Sequence, residues 1–193
     1  RLIADIEANG LTVTSFSRRL DAAALSLSSD PAILGAADII LVTVKSADTA
    51  EIADLIARHA PSGATVVSLQ NGVSNAAALR QALPGRHALA GMVPFNVIAL
   101  DGARFHRATS GDILVERDAA DTAAQLAVDG LAIRGTDDIV GVQWGKLLVN
   151  LNNALNALSG LPLRQQLAQR PWRVLFADQL NRWQQPGDIT DVP

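Results

Sequence analysis

The chain has no cysteine, only three histidines and only two lysines among its 16 positively charged side chains. Without cysteine there can be no disulfide, thiol nucleophile or thiolate-bound metal, and His59, His87 and His106 are scattered without the spacing of a metal-binding set. No cluster of basic residues interleaves with aromatics, and the net charge of −3 with a pI near 5.5 argues against a nucleic-acid-binding face. No apolar run approaches the roughly 20 residues of a membrane span. The first residues lack the charged and apolar regions of a secretory signal. These absences predict a cytoplasmic protein with neither nucleic acid nor membrane as a partner.

What is present is apolar material, 49% of 193 residues, enough for a sizeable core in one or two domains. "RLIADIEANGLTV" predicts a short amphipathic helix capped at Asn9-Gly10 and leading into an extended segment. "DIILVTVK", Asp38 to Lys45, and "ATVVSLQNG", Ala64 to Gly72, are runs of the kind found in parallel strands covered on both faces. Between them Asp48 to His59 has helical character, and Pro61-Ser62-Gly63 stops it. Strand, helix and strand at this spacing form a right-handed βαβ unit. Its two strands are therefore parallel, and Lys45 and the Gln70-Asn71-Gly72 turn leave the sheet at one carboxyl edge, where open α/β sheets bind ligands.

Further along, a helix is predicted from about Ser74 to Leu83. "HALAGMVPFNVIAL" reads as a strand interrupted by Pro94, and "ATSGDILVE" as a strand after Gly111. "DTAAQLAVDGLAIRGTDD" gives a helix, a glycine break and a short strand. Sheet gives way to helix near residue 137. A long helix runs from about Asp138 to Ser159, a further helical segment begins at Pro162, and "RPWRVLFADQLNRW" is amphipathic, with Trp172, Leu175, Phe176, Leu180 and Trp183 as its predicted core. The tail "QQPGDITDVP" shows no packing pattern.

The long helix carries an anomaly. "WGKLLVNLNNALNALSG" holds four asparagines, although the asparagine side chain competes for main-chain hydrogen bonds and disfavours helix. At about 100° per residue, Lys146, Asn150 and Asn153 line one stripe, and Trp144, Leu147, Leu148, Leu151, Leu155 and Leu158 occupy a separate face. The apolar face is expected to be buried, while the stripe presents an ammonium and two carboxamides, groups suited to a carbonyl, a carboxylate or a ribose. A solvated polar face is the alternative. Arginine supplies the rest of the positive charge, which singles out Lys45 and Lys146, because lysine is the cation whose pKa falls readily on burial.

The segments "VTVKSADT", "VVSLQNGVSN", "LAGMVPFNV" and "WGKLLVNLNNALNALSGLPL", in this order and spacing, resemble ketopantoate reductase (2-dehydropantoate 2-reductase) over most of residues 1 to 180. The resemblance implies an α/β fold: a partial Rossmann-like parallel-sheet domain, 1–136, that binds a dinucleotide, followed by the start of an all-helical substrate domain, 137–193. It also implies NADPH-dependent reduction of a 2-keto acid, ketopantoate to pantoate, in pantothenate and coenzyme A synthesis, and a homodimer. By the same resemblance, Lys146 matches the lysine that protonates the ketone oxygen, and Asn150 a substrate-binding asparagine. Asn71 matches an asparagine that contacts both substrate and nicotinamide ribose. Lys45 matches a lysine on the cofactor side, and Gln70 stands with it there.

There are departures from the pattern. The family's second asparagine, two turns after its lysine, is here Ala154, with Asn153 beside it as a candidate replacement. No G-x-G-x-x-G turn occurs, and Arg1 falls near the position that reads the 2′-phosphate. The expectation is a reductase fragment cut at both ends and inactive alone. Two other readings are a β-hydroxyacid dehydrogenase, which also pairs a helix lysine with an asparagine one turn on, and a non-catalytic interaction module.

Overall fold

The computed structural model describes residues 2–16, 18–22 and 25–183, and the side chains of 18, 22, 182 and 183 fall outside that description. Arg1, the side chain of Trp183 and the tail from residue 184 are therefore outside the described residues. By contacts the chain divides into two compact units, Arg1–Ile139 and Val140–Pro193.

The first unit opens with α1 (Leu2–Asn9). Gly10 closes it at φ +73, a left-handed conformation that glycine adopts without a Cβ penalty, and its N–H donates to the Ile6 carbonyl at 2.7 Å. Strands β1 (Leu11–Ser15) and β2 (Arg18–Ala22) form an antiparallel pair. A 3-10 turn, Pro31–Ala36, follows, with the Asp30 carboxylate accepting from the Ala32 N–H at its start. The main alternation is then β3 (Ile39–Val42), α2 (Thr49–His59), β4 (Thr65–Ser68), α3 (Asn75–Ala82) and β5 (Ala88–Met92). After it come β6 (Val97–Leu100), β7 (Arg104–Arg107), β8 (Ile113–Glu116), α4 (Thr122–Leu126) and β9 (Ile133–Thr136).

Two sheets result, ordered β3-β4-β5-β8-β9 and β2-β1-β7-β6. In the first, β3, β4 and β5 are parallel, β8 runs antiparallel to β5, and β9 is parallel to β8. Strand side chains alternate between faces, and β4 shows the consequence. Val66 joins Ile40, Val42, Ile56 and Leu79 under α2 and α3. Val67 joins Leu89, Ile113, Val115 and Ala123 on the other face with α4. Burial on both sides is why its two central residues, Val66 and Val67, are both apolar.

Two expectations need correction here. The sequence reads 87–100 as one strand interrupted at Pro94, whereas the two halves belong to different sheets. The second sheet has no clear sequence signal, because β2 ("RRLDA") and β7 ("RFHR") are polar and β1 finds its parallel partner β7 about ninety residues away.

The second unit contains α5 (Ile139–Ser159) apart from its first residue, Gly160 at φ +61, α6 (Leu163–Ala168) and α7 (Arg170–Trp183). Its apolar faces are less covered than the sequence predicts. Leu175 is exposed, and Leu158 is 79% exposed. Among the described residues no helix is long and apolar enough to cross a membrane.

Candidate active site

Because β3 and β4 are parallel, with Val42 opposite Ser68, the chain leaves both strands at one carboxyl edge. Lys45 follows β3 in extended conformation, is exposed, and precedes the 3-10 turn Ser46–Asp48 that leads into α2. Gln70 and Asn71 follow β4, and Gly72 turns the chain at φ +101 toward α3. The structure thus brings Lys45, Gln70 and Asn71 to the same edge.

A hydrogen-bonded lattice joins the two turns. The Asn75 amide donates to the Asn71 carbonyl at 2.7 Å and to the Ser46 hydroxyl oxygen at 3.0 Å. The Ser46 hydroxyl itself reaches the Asn71 carbonyl at 3.2 Å. The Thr49 hydroxyl donates to the Ser46 carbonyl at 2.8 Å and accepts from the Gln70 amide at 2.9 Å. The Ser68 hydroxyl donates to Gln70 Oε1 at 3.0 Å. Ser68, Gln70, Thr49 and Asn75 are all buried, so the Ser68–Gln70 and Gln70–Thr49 bonds lie away from water, while the bonds that reach Ser46 and Asn71 lie nearer the surface. Gln70, expected on the cofactor side, is committed to this lattice and supports the Lys45 and Asn71 turns from below. Asn71 itself is exposed.

Asn75, Thr49, Ser46 and Ser68 have no sequence signal as site residues: each reads as a cap or a strand-end polar residue. Asn75→Ala is expected to cost about 1–3 kcal/mol, the usual penalty for leaving buried polar groups unpaired. It should also loosen the Asn71 turn, and thermal unfolding with and without nicotinamide cofactor measures both effects. Beside Lys45 a pocket is lined by Val44, Asp48, Glu51, Ile52 and Leu55. Its aliphatic walls suit a planar base, and its carboxylates suit an amino group.

In the second unit, Lys146, Asn150 and Asn153 share α5. Lys146 is half-buried, and that burial lowers its pKa below the ordinary 10.5 by disfavouring the ammonium. Asn150, one turn on, is half-buried, while Asn153 and Ala154 are exposed.

The other two asparagines of this helix do something different. Asn152 and Gln166 exchange amide hydrogen bonds at 3.1 and 3.4 Å, and Asn156 donates to Gln166 at 3.0 Å and to the Leu161 carbonyl at 2.9 Å. Asn152 and Gln166 are buried, Gln166 completely. The expectation of a fully buried leucine face is therefore corrected. The buried positions of α5 are Ile139, Gln143 and Asn152, and Asn152 is buried because α6 docks there through the Gln166 amide.

A parallel-sheet edge carrying a lysine and an asparagine, and a separate helix carrying a half-buried lysine one turn before an asparagine, narrow the field of relatives. A family model described as ketopantoate reductase PanE/ApbA matches residues 1–119. The chain belongs to the ketopantoate reductase family.

A 2-dehydropantoate 2-reductase of Halobacterium salinarum is 33% identical to it over 142 residues, which are 69% of this chain and 46% of that protein. A PanE/ApbA family ketopantoate reductase of Ralstonia eutropha JMP134 superposes with a TM-score of 0.81 at 31% identity, covering 93% of this chain and 60% of that one. A 2-dehydropantoate 2-reductase of Geobacter metallireducens GS-15 gives 0.79 at 26% identity, covering 90% of this chain and 60% of that one. The chain thus spans less than half the length of its curated ketopantoate reductase relative and about three-fifths of these two structures. It shares with them the α/β fold of an oxidoreductase family.

Proposed function

We propose that this chain serves the NADPH-dependent reduction of 2-dehydropantoate to pantoate, a step of pantothenate and coenzyme A synthesis, with Lys146 as the general acid. One observation carries the reading. In a member of the ketopantoate reductase family, the helix that bears the apparent substrate asparagines holds a half-buried lysine whose pKa is lowered by burial. A ketone oxygen gaining charge needs a positioned proton donor, and burial moves the Lys146 ammonium toward easier release of its proton.

NADPH, when bound, supplies a hydride to the carbonyl carbon. The Lys146 ammonium gives its proton to the carbonyl oxygen, which becomes the hydroxyl, and is reprotonated from water. Asn150 donates its amide to the substrate, and Asn153 occupies the helix face where the second family asparagine is replaced by Ala154. Asn71 offers a carboxamide to both substrate and nicotinamide ribose. Lys45, exposed beside the pocket lined by Val44, Ile52 and Leu55, would stand on the cofactor side. The 193 residues contain no G-x-G-x-x-G turn, so the main-chain seat for a pyrophosphate is not among them. The 193-residue polypeptide alone is accordingly expected to be inactive.

The test is steady-state turnover of a panel of 2-keto acids by the protein of the full reading frame, beside the 193-residue polypeptide. Ketopantoate should give the highest kcat/KM, with NADPH preferred over NADH, and only the longer protein should turn over. Oxidation of β-hydroxy acids without ketopantoate reduction would replace this reading with a β-hydroxyacid dehydrogenase.

A further inference from the structure

Arginine 107 ends β7, in the second sheet, yet its side chain works at the carboxyl edge of the first. Its guanidinium donates to three main-chain carbonyls, those of Thr109 at 3.2 Å, Gly130 at 3.3 Å and Gly111 at 2.5 Å. The same group lies over the Phe95 ring, 4.1 Å from its centroid. Three separate segments meet there. Residues 93–96 leave the carboxyl end of β5, and residues 109–112 enter β8, which is antiparallel to β5. Gly130 precedes β9, which is parallel to β8. All three segments therefore lie at the edge where Asn71 emerges from β4.

The surrounding contacts show that this corner is built to one geometry. Gly111 sits at φ +135, and a Cβ there would come within 2.6 Å of the Pro94 ring. The Asn96 N–H donates to the Thr109 hydroxyl at 2.8 Å, and the Ala108 N–H to the Asn96 carbonyl at 2.9 Å. Phe95 also packs against the Val67, Leu89 and Ile113 core. Arginine's planar fork can satisfy several carbonyls and stack on a ring at once, which a lysine cannot do.

We propose that Arg107 is a positioning residue for the substrate end of the site. This rests on the reductase reading above. Along the edge, Lys45 on the cofactor side follows β3, and Asn71, shared by cofactor and substrate, follows β4. The loop after β5, residues 93–96, then lies at the substrate end. Arg107 fixes the Phe95 wall of that loop and so the space in which the keto acid sits. It touches neither substrate nor cofactor and acts through Phe95 and the clamped carbonyls.

The experiment compares wild type, Arg107→Lys and Arg107→Gln in the protein of the full reading frame. It follows KM and kcat for ketopantoate, the NADPH dissociation constant by fluorescence, and chymotryptic cleavage after Phe95. Both variants should raise KM for the keto acid about tenfold, the scale expected when a positioning wall shifts by a fraction of an ångström, with kcat and NADPH affinity within about twofold to threefold. Cleavage at Phe95 should accelerate by a similar factor.

The proposal is overturned if KM is unchanged, if NADPH affinity falls in parallel as in a general loss of structure, or if Arg107→Lys behaves as wild type, since charge alone would then suffice. Cleavage at Phe95 needs no substrate and separates the two claims. If wild type reduces no 2-keto acid, the reductase reading fails and the substrate role of Arg107 fails with it. If wild type turns over and neither KM nor cleavage responds, only the Arg107 proposal fails.

Discussion

Lys146→Ala, introduced into the protein of the full reading frame, is expected to lower kcat for ketopantoate reduction by about two to four orders of magnitude, the usual contribution of a positioned general acid, while leaving NADPH affinity close to wild type. The alanine removes the proton donor and leaves the Asn150 carboxamide on its helix. The loss should therefore appear in kcat and kcat/KM together, as for an interaction made at the transition state. The pH dependence gives an independent check with a fixed sign. The acid works only while protonated, so the rate holds below the pKa of Lys146 and falls as pH rises through it. Burial has moved that pKa below 10.5, so the fall comes earlier than for an exposed lysine. Stability runs the other way. Between the lowered folded pKa and the ordinary one, the unfolded chain binds the proton more tightly than the folded chain does, so the Lys146 contribution to stability increases with pH. Activity that declines while stability rises over the same window would identify Lys146 as the group responsible, and Lys146→Ala should abolish both trends.

Gln166→Ala is expected to cost roughly 3–5 kcal/mol, combining the cavity left by a large buried side chain with the penalty for unpaired amides. Gln166 is completely buried and holds both Asn152 and Asn156. Its loss leaves the buried Asn152 amide without the partner that satisfied it at both ends. Against a typical domain stability of about 5–15 kcal/mol, this removes a large share of the total, and urea unfolding followed by far-ultraviolet circular dichroism measures it as a lowered midpoint. Replacing both partners with apolar residues, Gln166→Leu with Asn152→Leu, should recover much of the loss, because neither amide is then stranded.

The parts legible in the sequence were those governed by local pattern. β3, α2 and β4 could be read from the apolar runs of the two strands and the helix between them, although only β4 is buried on both faces and Leu41 of β3 is exposed; the right-handed crossover then places Lys45 and Asn71 at one edge. The second sheet could not, because β2 and β7 draw their order from pairing with β1, and nothing in "RRLDA" or "RFHR" distinguishes a strand from a polar loop. The asparagines of α5 were legible as an anomaly but only half explained. Asn150 and Asn153 share the Lys146 stripe, whereas Asn152 and Asn156 meet Gln166, a contact that depends on how α6 returns against α5. Asn75 and Arg107 were missed for a related reason. Each also ties in a group from another segment, Ser46 for Asn75 and Gly130 with the Phe95 ring for Arg107, so on its own each resembles an ordinary helix start or a surface arginine.

The most direct test of the central claim is the fate of the transferred hydride. The protein of the full reading frame should be incubated with ketopantoate and NADPH carrying deuterium at both C4 positions, and the product examined by mass spectrometry. Pantoate should be one mass unit heavier than natural, with the deuterium on the former ketone carbon next to the carboxylate, formed at a rate that collapses in Lys146→Ala. Unlabelled pantoate, no pantoate, or a labelled product whose rate is indifferent to Lys146→Ala would contradict the central claim.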